Sequence, residues 1–257
     1  MNKTFEKRVV LFIDILGFRE KIENCEKDNS QITQIYKVLS LMKRHFKGFK
    51  DLRRIHFSDS IVISFEAENE GAILEIIGKV QSLIKKVVNQ EFLLRGGIVF
   101  GDIYHDKDFI YGPAMNNAYK LESKEAIVPR IIIQKEIIEL SKEYNPSFFK
   151  DGMENYINNY ISIDSDGFYY IDYFKKGVDT FWEIKNRDKQ FISKLKKNIE
   201  EGLKKKPMDV NVKYQWMKIK FNDLIRELKE CKQVSGGGLT LGSNKDNIFY
   251  KNIDFIE

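Results

Sequence analysis

Cysteine is almost missing from this chain: Cys25 and Cys231 are the only two in 257 residues. Two cysteines cannot build a disulfide framework, and neither has a neighbour at metal-ligand spacing, so a reducing, intracellular setting is expected. Histidine is as scarce, with three residues. His45 and His56 stand singly, and no Ser-His or Cys-His arrangement for covalent catalysis is legible. A long apolar run is also lacking. The best candidate, Val9 to Leu16 within MNKTFEKRVVLFIDILGF, is interrupted by Asp14 and followed by no small-residue cleavage site. It falls well short of the roughly 20 apolar residues that span a bilayer. These gaps predict a cytoplasmic protein, neither secreted nor integral to a membrane. Nor does one sign of charge dominate: 43 Lys+Arg stand against 38 Asp+Glu, for a net charge of +5 with 32% of residues charged. That balance gives a solvated surface rather than a polybasic arm, and no basic–aromatic clustering predicts a nucleic-acid partner. The run Lys204-Lys205-Lys206 before Pro207 fits a helix C-terminus, where cations oppose the dipole.

What is present reads as alternating strands and amphipathic helices. Val9 to Ile15 (VVLFIDI) is nearly continuous in apolar character, the pattern of a strand buried on both faces, and Gly17 breaks it. Helical periodicity follows in Ile32, Ile35, Val38, Met42 and Phe46. Arg53–Phe57 and Ser60–Phe65 read as two strands joined by a tight turn at Ser58-Asp59. A second helix is predicted from about Glu70 to Asn89, then a strand Phe92–Phe100 with a hairpin partner Tyr104–Tyr111. Gly112-Pro113 starts a helix running to about Lys124, since proline suits a first helical turn. Arg130–Ile133 reads as a strand and Gln134 to about Tyr144 as a helix. The pattern weakens near Pro146 until the aromatic run Phe168–Tyr173. Two long helical patterns follow from about Lys185, then a Ser235–Gly238 loop and a strand over Ile248–Ile256. The element order predicts α/β or α+β, with helices covering one sheet.

Two carboxylates are out of place. Asp14 ends an otherwise apolar strand, where a dry, unpaired charge costs several kcal/mol, so it needs a cation or a solvent opening. Asp59 sits on the turn between two strands. If those strands neighbour the first, both carboxylates converge at one sheet edge, the oxygen-ligand geometry for one or two hard cations. Taken singly, Asp59 is equally a turn residue and Asp14 a helix cap. Arg95-Gly96-Gly97 marks either a close approach of the strand or a bulge. Asp102, His105, Asp106 and Asp108 look like a metal cluster but read better as a solvated hairpin tip.

In order along the chain, VVLFIDILGF, HFSDSIVIS, LRGGIVFGDIY and IYGPAMNNAYKLES resemble the class III nucleotidyl cyclase catalytic domain, across roughly residues 8 to 135. The forms GPAMNNAYKLES and Pro129-Arg130-Ile131 are most similar to the pyrimidine nucleotide cyclases of bacterial Pycsar anti-phage systems. The resemblance implies an α+β, ferredoxin-like catalytic core over residues 1–145 and a mixed α/β C-terminal extension over 146–257, packing on the core or a dimer interface. It implies that Asp14, Asp59 and the carbonyl of Ile15 bind two divalent metals, Mn²⁺ or Mg²⁺. Leu16, Gly17 and Phe18 would cradle the triphosphate. Asn116 and Lys120 match the asparagine and arginine that orient the ribose and stabilise the transition state. Lysine there supplies charge without a bidentate fork, and i,i+4 spacing puts both side chains on one helix face. Adenylyl cyclases use a lysine and an aspartate where this chain has Ile55 and Phe109, which cannot read adenine's polar edge. ATP is therefore expected to be a poor substrate and UTP or CTP a better one, with Arg53, Arg54, His56 and Tyr111 as candidate base readers. The resemblance further implies a homodimer with shared sites and a separate effector switched on by the cyclic product. A purine cyclase with unusual base contacts, and a catalytically silent nucleotide-binding module, are the alternatives.

Overall fold

The computed structural model describes residues 3–25, 28–145, 152–175, 184–205, 207–230 and 252–257. The chain divides into two compact units, Met1–Tyr173 and Phe174–Glu257. In the first, β1 (Glu6–Leu16) is followed by helices α1 (Phe18–Cys25) and α2 (Ser30–His45) and the hairpin β2 (Arg53–Phe57) and β3 (Ser60–Phe65). Then come α3 (Ala72–Val88), β4 (Leu93–His105), β5 (Ile110–Tyr111) and α4 (Pro113–Lys120), which runs into a π-turn at Leu121–Glu125. Strand β6 (Ile131–Ile133), α5 (Lys135–Glu143), α6 (Met153–Tyr160), β7 (Ile161–Ile163) and β8 (Tyr169–Ile171) complete it. One mixed sheet runs in the order β2-β3-β1-β4-β6-β8-β7, with β5 pairing on β4. This is the mixed α/β architecture expected from the sequence.

The buried first strand is confirmed: Val9, Val10, Leu11 and Ile13 are fully buried, and β1 lies between β3 and β4, antiparallel to both. Its residues alternate between the two sheet faces. Val10 and Phe12 pack with Val62, Val99 and Ile103 against Ala114 and Ala118 of α4. Gly97 makes that docking possible, because a Cβ there would lie 2.6 Å from the Cβ of Leu121 and 2.9 Å from the Ala118 carbonyl oxygen. Pro113 begins α4 as expected, after Gly112 at φ 140°. On α3 the predicted apolar face is buried, Ile73, Ile76, Ile77, Val80, Leu83, Ile84 and Val87 among it. Ile32, by contrast, is exposed on α2 rather than part of its buried face.

Three boundaries differ from expectation. Strand β4 does not stop at Phe100: Gly101, Asp102 and Ile103 continue the ladder opposite Arg8, Lys7 and Glu6. The hairpin tip is displaced to residues 106–109, where the Asp106 carboxylate accepts the backbone N–H of Asp108 and Phe109. Asp102 thus belongs to a strand and His105 is buried, so only Asp106 and Asp108 keep the turn role given to all four. Strands β7 and β8 extend the first unit's sheet through pairing of β6 with β8, so this unit runs beyond residue 145 to Tyr173. In the second unit, α7 (Ile184–Leu203) and α8 (Met208–Glu230) are the two long helices predicted, with Leu195, Ile199, Phe221 and Ile225 fully buried. Cys231, the Ser235–Gly238 loop and residues 248–251 of the expected last strand lie outside the described residues; 252–257 contain no strand.

Arg8 is fully buried, and its charge is met on several sides. It donates to Ser64 Oγ at 3.0 Å and to the carboxylate and carbonyl of Asp51, each at 2.8 Å. Ser64 Oγ lies 2.8 Å from His105 Nδ1. Burial, with the Arg8 and Arg53 charges, pushes the His105 pKa down to about 4. Burial also pushes His45, whose Nε2 lies 2.7 Å from the Lys79 carbonyl oxygen, down to about 4. An unfolded histidine takes its proton near the ordinary value of 6.5, so the unfolded state binds more protons below that pH. The stability contributed by these two neutral histidines is therefore complete above pH 6.5 and is lost as pH falls toward 4. Denaturant titrations at stepped pH are expected to show this loss, with a shallower slope in His45→Gln.

Candidate active site

Asp14 and Asp59 meet through the β2–β3 hairpin. The turn is tight, with Ser58 at φ 52°, and Ile61 of β3 stands opposite Ile13 of β1, which brings Asp59 beside Asp14 at the end of the ladder. Ser60 donates its hydroxyl to Asp14 Oδ1 at 2.9 Å, and Arg95, across the ladder on β4, reaches Asp14 Oδ2 at 3.4 Å. Burial raises the Asp14 pKa above the usual carboxylate range; Ser60 and Arg95 oppose the rise, and the nearby Asp59 charge adds to it. Two carboxylates at close quarters, one largely desolvated, favour a bound cation, and hard oxygen donors suit a divalent metal. Among the described residues no group of three or more His, Cys, Asp or Glu is placed to hold a metal, so a metal here would complete its shell from backbone, substrate or water.

Glu122 is the residue that sequence reasoning passed over. It lies on the π-turn, is 2% exposed, and its Oε1 stands 2.6 Å from Arg95 Nε. Burial pushes its pKa up to about 7, against the pull of Arg95 and helped by the charges of Asp14 and Asp59. Glu122 follows Ala114 and Ala118 at i, i+4 spacing, so it continues the buried face of α4 into the π-turn. In the sequence Arg95 is marked only by its glycine neighbours, and Ser60 only as part of a motif.

The other candidates are distributed around this centre. Ile15 is buried on β1 opposite Leu94; Leu16 ends the strand, Gly17 turns at φ 73°, and Phe18 begins α1. Asn116 and Lys120 are exposed on α4, whose buried side carries Ala114 and Ala118. Ile55 faces the same side of the sheet as its cross-strand partner Val62. Arg54 alternates to the other side and donates to the Lys43 carbonyl of α2. Arg53 is held by Glu6 and the His105 carbonyl, both at 2.9 Å. His56 is half-buried, and burial lowers its pKa. Phe109 and Tyr111 are exposed and line a cavity of about 320 Å³ with Tyr104. A neighbouring cavity of about 660 Å³ is lined by Glu6, Arg53, Arg54 and His105. Glu6 and Asp14 stand toward opposite ends of β1, roughly 26 Å apart at about 3.3 Å per residue.

No protein-family model and no curated protein matches the sequence. Solved structures do match. The adenylyl cyclase CyaB from P. aeruginosa superposes with a TM-score of 0.51 at 16% identity, covering 70% of this chain and 100% of that one. The guanylyl cyclase Cya2 gives a TM-score of 0.47 at 16% identity, covering 71% and 98%. The likeness to the first shows the fold: the sheet and its helices are arranged as in that adenylyl cyclase. Among the described residues, no helix is long and apolar enough to cross a membrane.

Proposed function

We propose that the protein is a metal-dependent pyrimidine nucleotide cyclase, converting UTP or CTP to the 3′,5′-cyclic monophosphate and pyrophosphate. The observation that carries this reading is the meeting of Asp14 and Asp59 at one end of β1, on a class III cyclase core. In the reaction the ribose 3′-oxygen bonds to the α-phosphorus, the bond from that phosphorus to the bridging oxygen breaks, and pyrophosphate leaves; the hydroxyl proton passes to solvent. Asp14, Asp59 and the Ile15 carbonyl would hold the metals, Mn²⁺ or Mg²⁺. Such ions supply a lowered hydroxyl pKa and charge neutralisation on the leaving group. Gly17, free of a side chain at a left-handed turn between Leu16 and Phe18, leaves the triphosphate room to approach the backbone. Asn116 orients the ribose, and Lys120 offsets phosphate charge as a point cation.

A second copy of the chain completes the site in this reading. The cavity at Arg53 and His105 lies toward the other end of β1 from Asp14. Metals bound by one protomer and a base held by its partner reconcile the two. Mixing Asp59→Ala with Asn116→Ala protein is then expected to restore up to about a quarter of the activity, because one hybrid site keeps both groups. Ile55 and Phe109 offer no polar partner for adenine, which supports a pyrimidine base. A role in anti-phage defence, with an effector activated by the product, rests on the sequence resemblance alone. Incubation with each ribonucleoside triphosphate and Mn²⁺, resolved by chromatography and mass, tests the substrate. A cyclic pyrimidine supports the reading; a cyclic purine would retain the carboxylates and discard the base argument; no product would favour a nucleotide-binding module.

A further inference from the structure

The two oxygens of Asp14 are not equally engaged. Oδ1 accepts the Ser60 hydroxyl at 2.9 Å, a good hydrogen bond, while Oδ2 meets Arg95 only at 3.4 Å. The same guanidinium makes a closer ion pair with Glu122, Nε standing 2.6 Å from Oε1 without hydrogen-bond alignment, and Glu122 is nearly inaccessible to water. Arg95 is thus shared between two carboxylates and seated nearer to the one outside the proposed metal pair. Its side chain is 29% exposed, so it has room to move, whereas the Glu122 side chain at 3% does not. The π-turn fixes Glu122, and Gly97 lets that turn approach the sheet.

We propose that Arg95 is the resident counter-ion of Asp14 in the metal-free protein, and that Glu122 is the anchor holding its guanidinium back from Asp14 so that a divalent cation can take Oδ2. In the nucleotide-free protein both act on the metal site as positioning residues. The inference rests on the proposed metal site at Asp14 and Asp59 and adds a competitor and its restraint. The competitor keeps buried Asp14 from standing unpaired before the metal arrives. The restraint keeps that pairing weak enough to exchange.

The test is Mn²⁺ binding to the full chain, followed by the electron paramagnetic resonance signal of free Mn²⁺, without nucleotide. Glu122→Gln, which keeps the shape and removes the anchoring charge, is expected to weaken Mn²⁺ binding about three- to tenfold. Arg95→Gln is expected to tighten it by a similar factor. In the double variant the Glu122 substitution is expected to lose most of its effect, since no guanidinium remains to restrain. General damage to the fold would shift both single variants in one direction, and simple charge addition would leave the Glu122 effect equal in both backgrounds. Either result overturns the inference. Should Arg95→Gln not fold, Arg95→Met takes its place in the same cycle, and the same loss of the Glu122 effect is required. Wild-type binding that survives Asp14→Asn, or is absent, would instead remove the metal site itself.

Discussion

Asp59→Ala is expected to abolish cyclic-nucleotide formation, by about a thousandfold or more, while leaving the melting temperature close to wild type. The magnitude follows from the role: metal stabilisation of developing charge is worth several kcal/mol, and each 1.36 kcal/mol is about tenfold in rate. The lack of cost to the fold follows from position. Asp59 is half-exposed on a turn, and the nearby charge opposes ionisation of Asp14 rather than helping it. Removing it relieves a repulsion. Product formation from UTP and CTP, measured beside a thermal melt, checks both parts. Activity within tenfold of wild type in a folded variant would withdraw Asp59 from the metal site.

Arg130→Met is expected to have the opposite profile: a loss of about 3–5 kcal/mol in stability, the range for breaking a buried ion pair from one side. Arg130 is 2% exposed and precedes β6. It donates to the buried Asp164 carboxylate at 2.6 Å, to Asp166, and to the Glu125 carbonyl at 3.3 Å. These contacts tie the π-turn side of the sheet to the β7–β8 loop. Methionine fills much of the volume and leaves the Asp164 charge with its main partner gone. Pairing it with Asp164→Asn, which removes that charge, is expected to recover a substantial part of the loss. Urea denaturation of the four proteins in the cycle measures it; additive losses would show that the ion pair is not the source.

The legible parts of the molecule were those with an energetic anomaly or a strong period. Asp14 stood out because a carboxylate in VVLFIDI contradicts its neighbours, and α3 because eleven of its residues are buried in helical register. The hairpin at Ser58-Asp59 was visible because a polar pair separates two short strand-like runs. The Arg95–Glu122 contact had no such signal: each residue is ordinary in its own segment, and a glutamate on the buried face of α4 carries no apolar mark of burial. The expected strand end at Phe100 falls short, because β4 carries Gly101 within the ladder. Helix α6 buries only Met153 and Tyr160, and β7 is three residues long, so neither rose above its polar surroundings. Arg54 illustrates a different limit. It sits beside Ile55 in the chain, but strand alternation sends it to α2.

The two-residue turn at Ser58-Asp59 has a consequence for how such a chain can diverge. Side chains in β3 alternate strictly, so the turn's length, as well as its composition, decides which of them look toward Asp14. One inserted residue, if the register slipped to accommodate it, would turn Ser60 away from Asp14 and put Ile63 where Ser64 now meets Arg8 and His105. A single indel would thus disable the acidic centre and unseat a buried arginine at once. Substitutions can accumulate in this hairpin one by one; a change in its length has no gradual path.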